Sequence, residues 1–171
     1  LNNIYALTYP RSEKASKSVL KLSEMLRYVF YDCSKDMVKL KDELEYIENF
    51  ISFQQMKSES EQNITLDCNK TNPEMVIAPM LFIPFIENAF KFSKIEEDPG
   101  AYVNIVFISD NGVLKFSIEN SLPQSGKLKP GQGLGISNVK QRLKVLYPKR
   151  HELNIEEKKQ KFAVKLKIHT Q

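Results

Sequence analysis

The sequence predicts an α+β fold, with one mixed sheet covered on one face by helices, and three observations carry that reading. The first third repeats apolar residues at helical spacing, a long apolar run lies near the middle, and most of the remainder alternates in pairs of short segments joined by turns.

The elements follow in order. After Tyr9-Pro10, Ser12 is placed to cap a helix in which Ala15, Val19, Leu22, Leu26, Val29 and Cys33 recur at steps of four and three. That seam suits a helix packed in a bundle or across a dimer. A second helix is expected from about residue 36 to 58, with Leu40, Leu44, Ile47 and Ile51 on one face and Phe50 and Phe53 widening it. Near Asn63 the period changes, because Ile64, Leu66 and Cys68 alternate with polar residues as in a strand. Residues 77–91 are too long an apolar run for a strand and read as a buried helix, interrupted or bent at Pro84. Residues 102–109 and 113–119 alternate around Asp110-Asn111-Gly112, which supplies the positive φ angles of a tight hairpin turn. A stretch rich in Gly, Pro, Ser and Lys, residues 121–133, then feeds an amphipathic helix marked by Ile136, Val139, Leu143 and Leu146 and ended by Tyr147-Pro148. The chain closes on alternating residues 151–155 and 162–168, joined by a charged turn over residues 156–161.

Composition narrows the function classes. A chain of 171 residues, 42% hydrophobic and 27% charged, with a mean hydropathy of -0.38, has the make-up of one globular core with an appendage. The net charge of +4 comes with lysines interleaved with acids, as in Lys39-Leu40-Lys41-Asp42-Glu43, which is the pattern of a solvated face. Aromatic residues fall at core-like spacings, so no nucleic-acid surface is expected. No apolar run approaches the roughly 20 residues that cross a bilayer. Cys33 and Cys68 have neither paired spacing nor a neighbouring histidine; free thiols in the cytoplasm are expected. The opening Leu1-Asn2-Asn3-Ile4 carries no methionine or signal pattern, and the expectation is a piece of a longer protein.

Three places could carry chemistry. Glu87-Asn88 with Lys91 end the most apolar segment, and on a helix Asn88 and Lys91 lie on neighbouring turns. An Asn oxygen coordinates magnesium, a Lys neutralises phosphate and a carboxylate polarises a nucleophile, as phosphoryl transfer requires; capping or solvating a helix end is the alternative. Gly131-Gln132-Gly133-Leu134-Gly135 lies between a loop and a helix, where backbone N–H groups meet phosphate, although such glycines also serve plain turns. The segment lacks the Gly-Lys-Ser/Thr of a Walker loop and the preceding strand of a dinucleotide fingerprint. Asn120 ends the inward-facing series Leu114, Phe116, Ile118 and could read a base edge or start the following loop. His151 and His169 sit in the last strands beside no nucleophile pattern and read as surface residues.

The ordered set of segments resembles the LytS-type sensor histidine kinases, whose catalytic part belongs to the Bergerat (GHKL) ATP-binding class. Leu1-Asn2-Asn3-Ile4-Tyr5-Ala6-Leu7 resembles the segment just after that family's phosphoacceptor motif. Leu22-Ser23-Glu24-Met25-Leu26-Arg27-Tyr28 and Leu40-Lys41-Asp42-Glu43-Leu44-Glu45-Tyr46-Ile47 are further matches. Pro84-Phe85-Ile86-Glu87-Asn88-Ala89-Phe90-Lys91 resembles the N box, and Gly131-Gln132-Gly133-Leu134-Gly135-Ile136-Ser137-Asn138-Val139 the G box after the ATP lid. Two departures stand out: Phe92 where members commonly have histidine, and Asn120-Ser121-Leu122-Pro123 where Asp-x-Gly-x-Gly is usual.

The resemblance implies a two-layer α/β sandwich preceded by dimerisation-type helices. It implies that residues 1–35 are the remnant of dimerisation helices, 36–60 a connecting helix and 61–171 the ATP-binding domain. By the same resemblance Glu87 and Asn88 are catalytic, Asn88 holds Mg2+, and ATP meets Asn88, Lys91, Asn120, Gly131, Gly133, Leu134 and Gly135. The γ-phosphate would pass to a histidine lying upstream of this sequence and then to a response regulator. A homodimer through helices 1–35 and a membrane-anchored parent are likewise implied. Asn120 keeps a carbonyl acceptor without the charge of Asp, which predicts weaker ATP binding. The rival is a non-catalytic dimerisation and docking scaffold with a degenerate nucleotide site.

Overall fold

The computed structural model describes residues 12–56, 58, 61–123 and 134–170. In chain order the elements are α1 (Glu13–Arg27), continuing into a π-helical turn (Tyr28–Asp32), β1 (Val38–Lys39), α2 (Leu40–Gln55), β2 (Asn63–Lys70), β3 (Val76–Ile77), α3 (Ile83–Ser93), β4 (Tyr102–Asp110), β5 (Val113–Ser121), α4 (Leu134–Leu146), β6 (His151–Lys158) and β7 (Lys161–His169). Two compact units result: α1, β1, α2 and β3 form one, and the other elements form the second.

In the first unit the expected Ser12 cap is present, its hydroxyl accepting from the Ala15 N–H at 3.3 Å. Buried Leu40, Leu44, Ile47, Phe50 and Ile51 line α2. The α1 seam behaves differently, since Ala15, Val19, Leu22 and Leu26 are only half-buried. Polar groups also reach α2: the Tyr28 hydroxyl donates to the buried Glu43 carboxylate, and the Lys21 ammonium to Asn49 Oδ1, while the Tyr28 and Tyr46 rings lie 5.0 Å apart. Burial and the Glu43 carboxylate push the Tyr28 phenol well above its ordinary pKa. The π turn adds a residue to one helical turn and so rotates the sequence that follows. Tyr28 faces inward, whereas Val29, expected on the seam, is exposed.

The second unit is built on a five-stranded sheet of order β2-β4-β5-β7-β6, parallel between β2 and β4 and antiparallel elsewhere. Val103, Ile105 and Phe107 of β4, Leu114, Phe116 and Ile118 of β5, and Val164, Leu166 and Ile168 of β7 alternate onto one buried face. There α3 and its leading residue Phe82 meet the sheet: the Phe82 ring stands edge-on to Phe107 at 4.9 Å and tilted to Phe116 at 4.9 Å, with Phe85 5.9 Å from Phe116. Helix α4 buries Val139 and Leu143. The expected mixed α+β sandwich is what forms. The β4–β5 hairpin turns through Asn111 (φ 47) and Gly112 (φ 75), as its sequence predicts.

Several assignments differ from expectation. The second helix starts at Leu40, because Val38 and Lys39 pair as a strand with Ile77 and Val76. The apolar run from 77 is not one helix: Ile77 is in a strand, Met80 takes a positive φ of 58, and α3 begins only at Ile83. Pro84 then sits in the first helical turn, where its missing N–H has no bond to lose, so it starts the helix and does not bend it. The final hairpin extends inward until only Lys159 and Gln160 remain in the turn. Leu146 is 38% exposed, and Tyr147, 2% exposed, is buried at that end of the helix.

Because Phe82 touches both Phe107 and Phe116, Phe82→Ala is expected to lower the unfolding free energy by about 3–5 kcal/mol. Urea titration checks this, and a loss below about 1 kcal/mol would contradict the role given to the aromatic cluster.

Candidate functional site

Helix α3 has two chemically distinct sides. Phe85, Ile86, Ala89 and Ser93 are buried, at spacings that put them on the sheet-facing side. Glu87 and Lys91, four residues apart, are exposed, and Asn88 beside them is half-buried. The packing therefore gathers the predicted Glu87, Asn88 and Lys91 on one polar stripe. Partial withdrawal from water lifts the Glu87 carboxyl above its ordinary pKa. The Lys91 ammonium lies 5.3 Å from the centroid of the Phe92 ring, a cation–π contact beside the polar stripe.

At the end of β5 stands Asn120, 1% exposed, continuing the inward series of Leu114, Phe116 and Ile118 as predicted. Its Nδ2 donates to the Ser121 carbonyl at 2.7 Å, while Oδ1 is buried with no hydrogen-bond partner among the described residues. A buried acceptor left unpaired costs roughly 1–3 kcal/mol, so such an atom is commonly reserved for a ligand's donor.

Ser121 joins the two parts of the site, a role no sequence motif signalled. Its hydroxyl accepts from the Tyr102 N–H at 3.0 Å and reaches the Ser93 carbonyl at 3.5 Å, tying β4, β5 and the end of α3 together. On the face opposite Asn120, Glu119 accepts from the Tyr102 hydroxyl at 2.9 Å and from Lys161 at 2.7 Å. Lys161 and Tyr102 together hold the Glu119 carboxyl below the ordinary range. Alternation would have placed Glu119 outward, but only the strand register puts Lys161 across from Ser121 and so within its reach.

Helix α4 approaches the start of α3. A Cβ at Gly135 would lie 3.3 Å from Pro84 Cβ, so glycine permits this close packing, and the Arg142 guanidinium donates to the Met80 carbonyl at 3.3 Å. Leu134 opens the helix. Gly131 and Gly133, the other predicted phosphate contacts, lie outside the described residues. His151 and His169 are half-buried strand residues, and His151 Nδ1 bonds the Tyr147 carbonyl at 2.7 Å.

Two clefts lie away from these groups. One of about 570 Å³ in the first unit is lined by Arg27, Tyr28, Asp42 and Glu45; another of about 470 Å³ on the outer sheet face is lined by Lys115, Lys165 and Lys167. Neither includes α3 residues or Asn120, so the orphaned Asn120 acceptor is the better guide to a binding site.

Comparison with known proteins adds independent findings. Residues 1–62 match the family model described as Histidine kinase. Sensor protein LytS of Bacillus cereus is 24% identical over 168 residues, covering 91% of this chain and 28% of the relative, so the chain spans under a third of that protein's length. Among solved structures, the histidine kinase domain of the Erythrobacter litoralis blue-light activated histidine kinase superposes with a TM-score of 0.56 at 14% identity, covering 98% of this chain and 85% of that one. Histidine kinase ThkA, in a complex with response regulator protein TrrA, gives a TM-score of 0.52 at 12% identity, covering 92% and 49%. At such identities the structural likeness establishes the fold.

The raised pKa of Glu87 has a consequence for stability. A carboxyl whose folded pKa exceeds its unfolded value favours the native state when protonated and penalises it when charged. That penalty sets in as pH rises from the unfolded value, about 4.3, through the folded one. Glu87→Gln should therefore match or slightly exceed the unchanged protein in thermal stability at pH 7, with the difference shrinking below about pH 4. Thermal melts at both pH values check this, and a variant clearly less stable at pH 7 would contradict it.

Proposed function

We propose that this chain belongs to a LytS-type sensor histidine kinase and provides that kinase's ATP-binding catalytic region; the family match, the LytS relative and the fold shared with solved kinase domains support the reading. The observation that carries the proposal is the buried, unpaired Asn120 Oδ1 at a strand end stitched by Ser121 to the helix bearing Glu87, Asn88 and Lys91.

Each residue has a task suited to its surroundings. Asn120 accepts from the adenine amino group. Lys91 neutralises phosphate oxygens, and Asn88 supplies a side-chain oxygen for magnesium. Magnesium supplies charge that offsets the phosphate oxygens when bound. Among the described residues no group of three or more His, Cys, Asp or Glu side chains could hold a metal ion. An Asn oxygen complemented by phosphate suits an ion that takes few protein ligands and keeps several waters. Glu87, its pKa lifted by partial burial, polarises the attacking imidazole. Leu134 and Gly135 bring backbone N–H groups at the start of α4 toward phosphate, and the sequence motif adds Gly131 and Gly133 as proposed contacts.

The γ-phosphoryl group then passes in line to a histidine outside this sequence, and a response regulator takes it next. Residues 1–35 belong to dimerisation helices, 36–60 to a connecting helix and 61–171 to the ATP-binding domain. The half-buried seam of Ala15, Val19, Leu22 and Leu26 supports a homodimer through the first of these. Among the described residues no helix is long and apolar enough to cross a membrane; the parent is proposed to be anchored upstream, with this region on the cytoplasmic side.

Calorimetric titration with ATP and magnesium tests the reading. Saturable, magnesium-dependent binding is expected, weakened about tenfold or more in Asn88→Ala. Absence of binding at millimolar ATP in a folded protein would contradict it and favour a non-catalytic scaffold.

A further inference from the structure

Asn120 is more than a neutral substitute for the usual aspartate. Its side-chain nitrogen sits 2.7 Å from the Ser121 carbonyl oxygen, which can only accept. The group at that position must therefore be the NH2, and a flipped amide would set two oxygens against each other. The other arm, Oδ1, is then fixed in the buried position where it finds no donor among the described residues. Ser121 itself is held by Tyr102 and Ser93, so the carbonyl that orients the amide belongs to a fastened stretch of backbone.

We propose that the Ser121 carbonyl locks the Asn120 carboxamide in one orientation, so that this strand end is fitted to asparagine and selects purine nucleotides by their 6-amino group. The inference rests on the nucleotide reading above and adds to it a specificity device. An unlocked carboxamide could turn its NH2 toward a 6-oxo purine and accept either base; the locked one offers that purine an oxygen facing an oxygen. A carboxylate at position 120 would have to put one of its oxygens where NH2 now meets the Ser121 carbonyl, losing the hydrogen bond and gaining repulsion. Restoring the family's usual aspartate should then harm binding, the reverse of what the lost charge alone predicts.

The test is calorimetry with ATP and with inosine triphosphate, both with magnesium, on the unchanged chain and on Asn120→Asp, with thermal melts to establish folding. The expected result is at least tenfold tighter binding of ATP than of inosine triphosphate by the unchanged chain, and at least tenfold weaker ATP binding by Asn120→Asp. Equal affinities for the two nucleotides in the unchanged chain would overturn the lock without any variant, and so would a folded Asn120→Asp that binds ATP as well or better. Binding of neither nucleotide by the unchanged chain would overturn the underlying nucleotide reading along with it.

Discussion

Phe82 and Phe85 press α3 against Phe107 and Phe116 of the sheet, and the disposition of the candidate site follows from that contact. A helix that buries Phe85, Ile86 and Ala89 has no freedom to turn Glu87, Asn88 and Lys91 anywhere but to the opposite side. The helix ends at Lys94, which takes a left-handed φ of 55, and at that end the Ser93 carbonyl meets Ser121. Aromatic packing thus positions polar groups that it never touches.

The strand side obeys a complementary constraint. β5 alternates apolar residues onto the buried face until its penultimate residue, where the inward position falls to Asn120. A polar group there is costly unless it is paired, and only one of its two arms is. Glu119, Tyr102 and Lys161 brace the strand end from the outer face, while Ser121 braces it from its own edge. Such bracing costs side-chain entropy, which is reasonable where a single amide must keep one orientation.

Much of this was legible in the sequence because periodicity reports burial. The β4–β5 hairpin, the inward series ending at Asn120, the Ser12 cap and the polar group on α3 all followed from spacing and turn chemistry. What escaped depended on partners distant in the chain. Val38 and Lys39 look like the start of a helix until their partners near residue 76 are known. Residues 77–82 are apolar enough for a helix, yet Pro79 denies a backbone donor and Met80 adopts a left-handed φ, so the helix waits for Pro84. Ser121 read as the opening of a loop, and its tie to Ser93, 28 residues away, left no local mark. Within the first unit, the π turn displaced a seam that heptad spacing alone would have continued through Val29.

Hydrogen–deuterium exchange in the presence and absence of ATP and magnesium locates the ligand without altering the protein. Added protection is expected in α3 near Asn88, at the end of β5 around Asn120, and at the start of α4, with the outer strand β6 unchanged. Protection confined to the first unit or to the outer sheet face, or none under saturating nucleotide, would contradict the nucleotide site proposed there.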